Sequence, residues 1–529
     1  MLFTSYEFLA FLAFLFLIYY IVPKKTQWML LLAASYIFYA LADLRYLVFI
    51  ATTTVSAYIA SRLMGRVSSK ETAYFEEKAE ALSKDERKAY KANCKKRRFS
   101  ILVTALLLNF GILAVLKYTA FAVFNINSAL HTFGVAPLSL PSLILPMGIS
   151  FYTFQTMGYL IDAYRGKAEI EKNFFKLALF VSFFPQLVQG PISRFSSLAP
   201  QLTSPHSFNT KTFTYGLQRI LWGYFKKLVI ADRVLIAVNA VVDSPEEFKG
   251  VYVFLLIILY SIQIYADFTG GIDITIGVAE ALGIKLTENF IRPFSSRSTK
   301  EYWNRWHITM GSWFTDYVFY PLSVSRPMLA ISKKSRALFG KNIGKRIPVY
   351  LATALTWFLT GLWHGAGWNF IVWGMLNCLV ILISQELEPL YSKFRTRFPK
   401  LTTSNAYGAF MSIRTFLLMG LIRSLDCYRD VGLTFRLWGS MFTTLNVSSV
   451  FNGGLSPLGL SAVDYVIILC GCVIMFAVSK CGKQKSVRDK LYDRPVLSAC
   501  LVCLLFVSII LFGAYGIGYD ASQFIYNQF

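Results

Sequence analysis

Runs of about 20 apolar residues, the length that a helix needs to cross a bilayer, recur along the whole chain. Several runs are short or interrupted by Gly and Pro, so the pattern predicts about 10–13 transmembrane helices. We place them at residues 4–22, 28–42, 46–64, 100–118, 141–162, 174–190, 213–242, 251–268, 347–363, 369–385, 407–422, 461–480 and 495–514. The predicted fold class is an all-α polytopic membrane protein.

The composition of the 529 residues agrees with this class. Hydrophobic residues make up 55% of the chain and charged residues 16%, whereas soluble domains average about 25% charged residues. The first apolar run, from Phe8 to Val22, has no basic segment before it and no small-residue cleavage site after it. We therefore expect a retained helix there and not a signal peptide.

The net charge of +24 is concentrated in the loops between the predicted spans. Lys and Arg are enriched in the cytoplasmic loops of membrane proteins, where they meet anionic lipid headgroups. We therefore expect membrane lipids, and no nucleic acid, as partners of these charges. Counting spans between the basic loops predicts that both termini lie outside the cytoplasm. It also predicts that the span 347–363 ends toward the outer side.

One segment, residues 66–99, has the composition of a soluble element, with eleven Lys and Arg and six Asp and Glu. Its charges recur at helical spacing, which predicts a cytoplasmic helical insertion in an otherwise single membrane-embedded domain of residues 1–529. No internal repeat is evident, which disfavours a transporter built from inverted repeats. The eight cysteines predict neither a disulfide framework nor a structural metal site.

Residues 361–369 place one titratable side chain between two apolar runs. The segment reads Gly-Leu-Trp-His-Gly-Ala-Gly-Trp-Asn, and its histidine is His364. An ionisable group at membrane depth is a functional-site hypothesis. Three glycines interrupt the helix there, and irregular backbone at that depth is tolerated only against protein or a water-filled cavity. The alternative is a structural histidine that bonds a backbone carbonyl.

A second dense patch, residues 292–320, holds His307 among tryptophans and arginines. The spacing predicts an amphipathic helix at the inner membrane interface, with Trp303 and His307 on one face. An adjoining apolar stripe would consist of Trp306, Met310 and Trp313. For the tryptophans the alternative is anchoring at the membrane interface, whereas His307 is a candidate for chemistry.

Polar side chains within apolar stretches need partners in a membrane. They form a candidate supporting shell, for which structural pairing is the alternative, and are Gln155, Gln189, Gln263, Asp267, Asp273 and Asn289. Asp267 is the strongest candidate, because a buried carboxylate requires a cation or an imidazole N–H. Arg305 and Arg194 are candidates for holding a phosphate of a donor molecule, with lipid phosphate as the alternative.

Several blocks of the sequence, in a consistent order, together resemble the membrane-bound O-acyltransferase (MBOAT) family. They are Leu-Pro-Met-Gly-Ile-Ser-Phe-Tyr-Thr-Phe-Gln at 145–155, Phe-Phe-Pro-Gln-Leu-Val-Gln-Gly-Pro-Ile at 183–192, Gln-Ile-Tyr-Ala-Asp-Phe-Thr-Gly at 263–270, Tyr-Trp-Asn-Arg-Trp-His at 302–307, Gly-Leu-Trp-His-Gly at 361–365 and Phe-Ile-Tyr-Asn-Gln-Phe at 524–529. The detail looks most like the bacterial branch of alginate O-acetylation proteins, with teichoic-acid D-alanylation proteins as relatives. Asn527 departs from that branch, in which a Phe stands.

The resemblance implies a ring of helices around a thin central funnel, with His364 as the catalytic histidine and His307 as the second one. Transfer of an acyl group to a hydroxyl needs a base, and neutral imidazole suits this task. We expect burial to keep His364 neutral. His307 could orient the donor, hydrogen-bond the thioester carbonyl or assist a proton relay. Further supporting or substrate-binding candidates in these blocks are Trp303, Arg305, Trp306, Trp363 and Asn369.

Three functions follow as hypotheses. The first is transfer of an acyl group, most simply acetyl, from a cytoplasmic thioester to hydroxyls of an extracytoplasmic envelope polysaccharide. The donor would be acetyl-CoA or an acyl-carrier thioester, used as a co-substrate with no bound cofactor. An SGNH-type acetyltransferase outside the bacterial cytoplasmic membrane is the expected partner if transfer is indirect. The second hypothesis is D-alanyl transfer from a carrier protein to lipoteichoic acid. The third is a transporter or flippase with His364 as a proton relay.

Overall fold

A computed structural model describes residues 3–78, 82–482 and 486–515 of the chain. Within these ranges the regular structure is helical, and extended backbone pairs at one isolated antiparallel bridge, between Phe290 and Trp306. The predicted all-α class is therefore confirmed. The block at 524–529 lies outside the described residues.

The helices in the first half of the chain are numbered in chain order. They are α1 (Tyr6–Ile21), α2 (Gln27–Ala40), α3 (Tyr46–Glu77), α4 (Lys84–Thr132), α5 (Ile149–Tyr164), α6 (Phe174–Ser182), α7 (Phe184–Leu187), α8 (Phe195–Thr203), α9 (Thr210–Tyr224), α10 (Asp232–Asp243) and α11 (Val251–Ala281). A wider π-helical turn, Phe225–Ala231, joins α9 to α10.

The second half continues with mostly shorter helices up to residue 344 and longer ones beyond it. They are α12 (Thr299–Trp303), α13 (Ile308–Phe314), α14 (Tyr320–Ser323), α15 (Arg326–Gly344), α16 (Ile347–His364), α17 (Trp368–Glu386), α18 (Glu388–Arg397), α19 (Pro399–Thr402), α20 (Asn405–Tyr428), α21 (Val431–Thr443), α22 (Val447–Phe451), α23 (Ala462–Cys481), α24 (Val487–Leu491) and α25 (Pro495–Phe512). A second π-helical turn, Thr315–Phe319, joins α13 to α14.

The chain divides into two compact units. The first comprises Met1–Gly216 with Val278–Thr287, and the second comprises Leu217–Gly277 with Glu288–Phe529. Both candidate histidines belong to the second unit. In that unit the hairpin of α16 and α17 packs closely, and α17 also contacts α20.

Seven helices of the described chain are long and apolar enough to cross a membrane. They are α3, α4, α11, α17, α20, α23 and α25, and the shorter apolar helix α1 adds to them. The apolar stretches of α23 and α25 are only 11% and 6% buried in the protein. Water would disfavour so much exposed apolar surface, whereas lipid does not. The chain is a multi-pass membrane protein; the larger predicted number of spans stays a prediction.

Two of the predicted spans are wrong. The span 141–162 begins without regular secondary structure, and α5 starts only after Gly148, whose φ of 72° is left-handed. A Cβ at Gly148 would lie 2.1 Å from the carbonyl oxygen of Leu187, so this turn requires glycine. The span 174–190 breaks at Phe183, whose ψ of 104° is not helical, and Pro185 lies in the first turn of the next helix, where proline is tolerated.

Residues 66–77 form the end of α3 and residues 84–99 form the start of α4. Ser83 caps α4 in a reciprocal capping box with Glu86. The ring of Tyr74 in α3 stacks on that of Tyr90 in α4, with ring centres 3.9 Å apart. The cytoplasmic position of this hairpin stays a prediction.

Candidate active site

His307 lies in a turn between two short helices. Helix α12 ends at Trp303, and α13 begins at Ile308. Between them, Trp306 forms the antiparallel bridge with Phe290. The predicted single amphipathic helix, with Trp303 and His307 on one face, is therefore wrong, because this backbone pairs with a distant segment and not with its own next turn.

The apolar stripe predicted for that helix faces the protein interior. Trp306, Met310 and Trp313 are 2%, 3% and 4% exposed. They pack among neighbouring aromatic rings, as in the stack of Trp306 on Tyr302 with ring centres 5.6 Å apart. Anchoring at the membrane interface does not account for side chains buried to this degree.

The backbone of His307 is left-handed, with φ 49° and ψ 52°. A residue with a Cβ rarely adopts this conformation, which requires about 1–3 kcal/mol from its surroundings. Asn289 stabilises the turn from both its main chain and its side chain. Its backbone carbonyl accepts a hydrogen bond from the Ile308 N–H at 3.0 Å.

The side-chain oxygen of Asn289 has three neighbours. Oδ1 accepts hydrogen bonds from the Thr309 N–H at 3.1 Å and from the Thr309 hydroxyl at 2.9 Å. The same Oδ1 lies 3.3 Å from Nδ1 of His307. Asn289 is fully buried, so this contact fixes one edge of the imidazole ring in the protein interior.

His307 itself is fully buried and is surrounded by aromatic rings. Its ring centre lies 4.9 Å from that of Phe268 and 5.7 Å from that of Trp363, both edge-on. Burial, and secondly the positive charge of Arg423, lowers the pKa of His307 to about 3. Since the ordinary value is about 6.5, His307 is neutral at neutral pH.

His364 is the last residue of α16 and is half-buried. The burial that we expected for His364 is partial at this residue and complete at His307. Helix α16 ends at His364 and the chain continues through an extended glycine, and the Nε2 atom of the imidazole is buried. The ring packs edge-on against Trp373, with centres 4.6 Å apart.

The glycines around His364 provide room for a close helix approach. Gly365 has an extended φ of −173° that any residue can adopt, but a Cβ there would lie 2.0 Å from the Phe370 ring. A Cβ on Gly361 would lie 2.4 Å from the Phe370 carbonyl oxygen. Both positions therefore require glycine because a side chain would collide with Phe370, and not because of an unusual backbone conformation. The absence of side chains lets α16 approach α17 closely.

Trp363 connects the two histidines. Its indole centre lies 5.7 Å from the imidazole of His307 and 4.9 Å from that of His364. The indole is 5% exposed. Two imidazoles thus contact one aromatic ring, which places them in the same region of the second unit.

A cluster of tryptophans extends from His364 towards α12. Trp373 contacts Trp303, with ring centres 5.7 Å apart, and Trp303 contacts Trp357 at 4.9 Å. The indole N–H of Trp303 donates to Oδ1 of Asn377 at 3.2 Å. These contacts make Trp303 part of the wall behind His364.

Arg423 of α20 is a residue that sequence reasoning missed. Its guanidinium carbon lies 4.5 Å from the ring centre of Trp306 and 5.9 Å from that of Trp373. Arg423 is 5% exposed, and a desolvated cation on indole faces is a favourable contact. The sequence feature that could have indicated Arg423 is its position directly after the predicted span 407–422, with Asp426 three residues later.

Asp267 pairs with a cation, which was one of the two partners expected for it. The Lys227 Nζ lies 2.6 Å from Asp267 and 2.6 Å from Asp232. Lys227 belongs to the π-helical turn between α9 and α10. The arrangement is a buried triad of one cation and two carboxylates, which favours a structural role for Asp267.

The candidate Asp273 belongs to a second ion network of the same unit, which is buried except for Glu288. Arg219 bonds Asp273 at 2.8 Å and Glu288 at 2.6 Å, and Lys226 pairs with Asp273 as well. The sequence feature that could have indicated buried ion pairs is the two consecutive lysines inside the apolar run 213–242. Glu288 directly precedes Asn289, so this network lies next in sequence to the residue that holds the His307 turn.

The remaining candidates have separate environments. Arg305 pairs with Glu301 at 2.6 Å and is partly exposed. The buried amide of Asn369 donates to the Leu425 carbonyl at 3.4 Å. The amide oxygen of Gln263 is buried and accepts no hydrogen bond from the described residues. Gln189 belongs to the first unit, where neither of its amide atoms bonds a described residue.

Other candidates named from the sequence have ordinary partners. In the first unit the Gln155 amide donates to the Phe180 carbonyl at 2.7 Å and accepts from Gln186 at 2.9 Å. In the second unit, the hydroxyl of Ser312 in α13 donates to the Thr309 carbonyl at 2.9 Å. In the described part of the chain, no group of three His, Cys, Asp or Glu side chains is placed to hold a metal ion.

The sequence is similar to known acyltransferases. The profile of the "MBOAT, membrane-bound O-acyltransferase family" matches residues 171–340 and 342–427. A relative named "Probable alginate O-acetylase AlgI", from Azotobacter vinelandii, is 32% identical over 394 residues, which are 73% of this chain and 69% of the relative. A "Peptidoglycan O-acetyltransferase" of Helicobacter pylori is 31% identical over 57% of this chain and 58% of its own. A "Teichoic acid D-alanyltransferase" of Bacillus subtilis is 28% identical over 48% and 62%.

Proposed function

The chain belongs to the membrane-bound O-acyltransferase family and is an O-acyltransferase, and from this premise we propose that it acylates hydroxyls of a cell-envelope polysaccharide. Relatives named for alginate and peptidoglycan O-acetylation support this class of acceptor. They also support acetyl as the acyl group. The observation that carries the proposal is the pair of imidazoles, His307 and His364, which both contact the Trp363 indole.

The proposed reaction joins a hydroxyl oxygen to the carbonyl carbon of a thioester. The hydroxyl proton passes to an imidazole nitrogen as the C–O bond forms, and the resulting tetrahedral intermediate expels the thiolate as the C–S bond breaks. The proton then returns to the sulfur, which leaves as the thiol. A base within reach of the hydroxyl typically contributes about 10²–10⁴-fold to such a step.

We assign the base to His364. It is the histidine of the Gly-Leu-Trp-His-Gly block, and as a whole residue it is less buried than His307, although its Nε2 atom is itself buried. The edge-on indoles of Trp363 and Trp373 hold the ring. His307 would then act as a second group, which orients the donor, hydrogen-bonds its carbonyl or relays the proton.

The donor and acceptor are assigned to opposite sides of the bacterial cytoplasmic membrane. The predicted orientation, with basic loops inside, supports a cytoplasmic thioester such as acetyl-CoA or an acyl-carrier thioester. The acceptor would be an extracytoplasmic polysaccharide, reached directly or through a partner such as an SGNH-type acetyltransferase. No resident cofactor is needed for this chemistry.

A second candidate function is transfer of D-alanine from a carrier protein to lipoteichoic acid. It is favoured by the similarity to the teichoic acid D-alanyltransferase. The chemistry is the same, because a carrier thioester again delivers an acyl group to a hydroxyl. The two functions differ in donor and in acceptor.

An assay of the purified protein in lipid vesicles separates them. We expect radiolabel from acetyl-CoA, or from an acetylated carrier, to appear on an added envelope polysaccharide or on an added SGNH-type partner. Label that moves only from D-alanyl carrier protein to lipoteichoic acid would establish the second function. Label that moves from neither donor in the presence of these acceptors would contradict both.

A further inference from the structure

The contacts of the Asn289 side chain fix which end of its amide is the oxygen and which is the nitrogen. A backbone N–H can only donate a hydrogen bond, and the Thr309 N–H points at one atom of this amide at 3.1 Å. That atom is therefore the oxygen, Oδ1, and not the nitrogen. The Thr309 hydroxyl, 2.9 Å from the same atom, can donate to it as well.

An amide oxygen can only accept, so a ring nitrogen that bonds it must carry a hydrogen. Nδ1 of His307 lies 3.3 Å from this Oδ1. We infer that Asn289 is a positioning residue, which holds His307 as the Nδ1–H tautomer and leaves the lone pair on Nε2. The Nε2 nitrogen then accepts a proton or a hydrogen bond.

This tautomer decides between the roles proposed for His307, and to that extent it rests on the proposed function. A neutral ring with its proton on Nδ1 has no N–H at Nε2 to donate to a thioester carbonyl. Nε2 of His307 therefore cannot polarise the thioester carbonyl by donating a hydrogen bond to it. Acceptance of a proton in a relay, with His364 as the base for the acceptor hydroxyl, is the role that fits.

The surroundings of the ring keep it neutral. Phe268 from α11 and Trp363 from α16 are uncharged, and Asn289 bears no charge. Arg423 of α20 is the charged group that acts on the ring, and it disfavours an imidazolium. A carboxylate in place of Asn289 would have the opposite effect, because it stabilises a neighbouring cation.

Nitrogen NMR of the wild-type protein labelled with ¹⁵N-histidine tests the inference without any substrate. The chain has four histidines, and the signals that disappear in His307→Gln belong to His307. Between pH 5 and 8 we expect a protonated Nδ1 and an unprotonated Nε2. A proton on Nε2, or on both nitrogens at neutral pH, would overturn the inference.

Substitutions at Asn289 test whether this residue fixes the tautomer. In Asn289→Ala both His307 signals should move towards the averaged position of two exchanging tautomers. In Asn289→Asp the Nδ1 proton should be retained and the ring should become charged at higher pH than in the wild type. Asn377→Ala, which removes another buried asparagine of the same unit that bonds Trp303, should leave both signals in place.

Unchanged His307 signals in folded Asn289→Ala would exclude Asn289 as the positioning residue. The result is independent of the proposed function, because the spectra require no acyl donor. A protein that shows the Nδ1–H tautomer but transfers acyl groups from no thioester would contradict the function and leave the tautomer standing.

Discussion

At the scale of single residues, the site is a set of aromatic contacts around two imidazoles of different exposure. His307 is fully buried, and His364 at the end of α16 is half-buried. The same indole, Trp363, contacts both. The two residues therefore differ in overall exposure, although the Nε2 atom is buried in both.

A prediction at this scale concerns Asp267. Asp267→Asn leaves Lys227 paired with Asp232, so we expect lower thermal stability but nearly normal kcat per folded molecule. Lys227→Met leaves two buried carboxylates without their shared cation. Loss of one partner from a buried pair costs about 3–5 kcal/mol, so this variant should be the less stable one. Asp267→Asn that folds with wild-type stability and transfers no acyl groups would show that Asp267 has a catalytic task.

The sequence identified the histidines and two of the residues that contact His307, Asn289 and Trp363, but not Arg423. His364 and His307 stand out because titratable residues are rare in apolar segments, and this holds without any coordinates. Arg423 and Lys227 are recognisable as important only when their partners are known. Arg423 contacts Trp306, 117 residues away in the sequence, and Lys227 pairs with Asp267, 40 residues away. Contacts between segments so distant in the sequence leave no local pattern.

At the scale of elements, the hairpin of α16 and α17 positions His364. Gly361 and Gly365 both face Phe370 at distances that exclude a Cβ. The apolar periodicity predicted these two helices nearly to the residue, at 347–363 and 369–385, against Ile347–His364 and Trp368–Glu386. The turn at His307 was mispredicted, because its backbone bridge to Phe290 overrides helical spacing.

A prediction at this scale is that Gly365→Ala lowers both activity and stability. The new methyl group would meet the Phe370 ring, and such overpacking costs about 1–3 kcal/mol. Phe370→Leu, which shortens the opposing side chain, should partly restore activity in the double variant. The measurements are initial rates of acyl transfer and thermal unfolding midpoints. Gly365→Ala with wild-type rates, or a double variant no better than Gly365→Ala, would contradict this account of the packing.

At the scale of the whole molecule, the most apolar helices are the least covered by protein. The apolar stretches of α23 and α25 are 11% and 6% buried, which only a lipid environment makes favourable. Hydropathy predicted this class directly. It overestimated single helices at 141–162, where α5 begins only after Gly148, and at 174–190, where the helix breaks at Phe183 before Pro185.

The predicted orientation can be tested along one helix. Lys88 and His131 are near the two ends of α4, which has 49 residues and spans about 70 Å at 1.5 Å per residue. In a background without native cysteines, Lys88→Cys should react with a membrane-impermeant thiol reagent only after the cytoplasmic face is opened. His131→Cys should react in intact cells. The reverse pattern would overturn the orientation and the cytoplasmic side of the donor.

The central claim is that His364 is the base for acyl transfer, and its replacement tests this claim most directly. Acyl transfer from the thioester donor is measured for purified wild-type protein, His364→Ala and the control His131→Ala, which alters an exposed histidine at the end of α4. All three are first matched by thermal unfolding. We predict a loss of about 10²–10⁴-fold for His364→Ala and none for His131→Ala. Folded His364→Ala that retains more than about a tenth of the wild-type rate would contradict the account, because loss of a general base costs more than that.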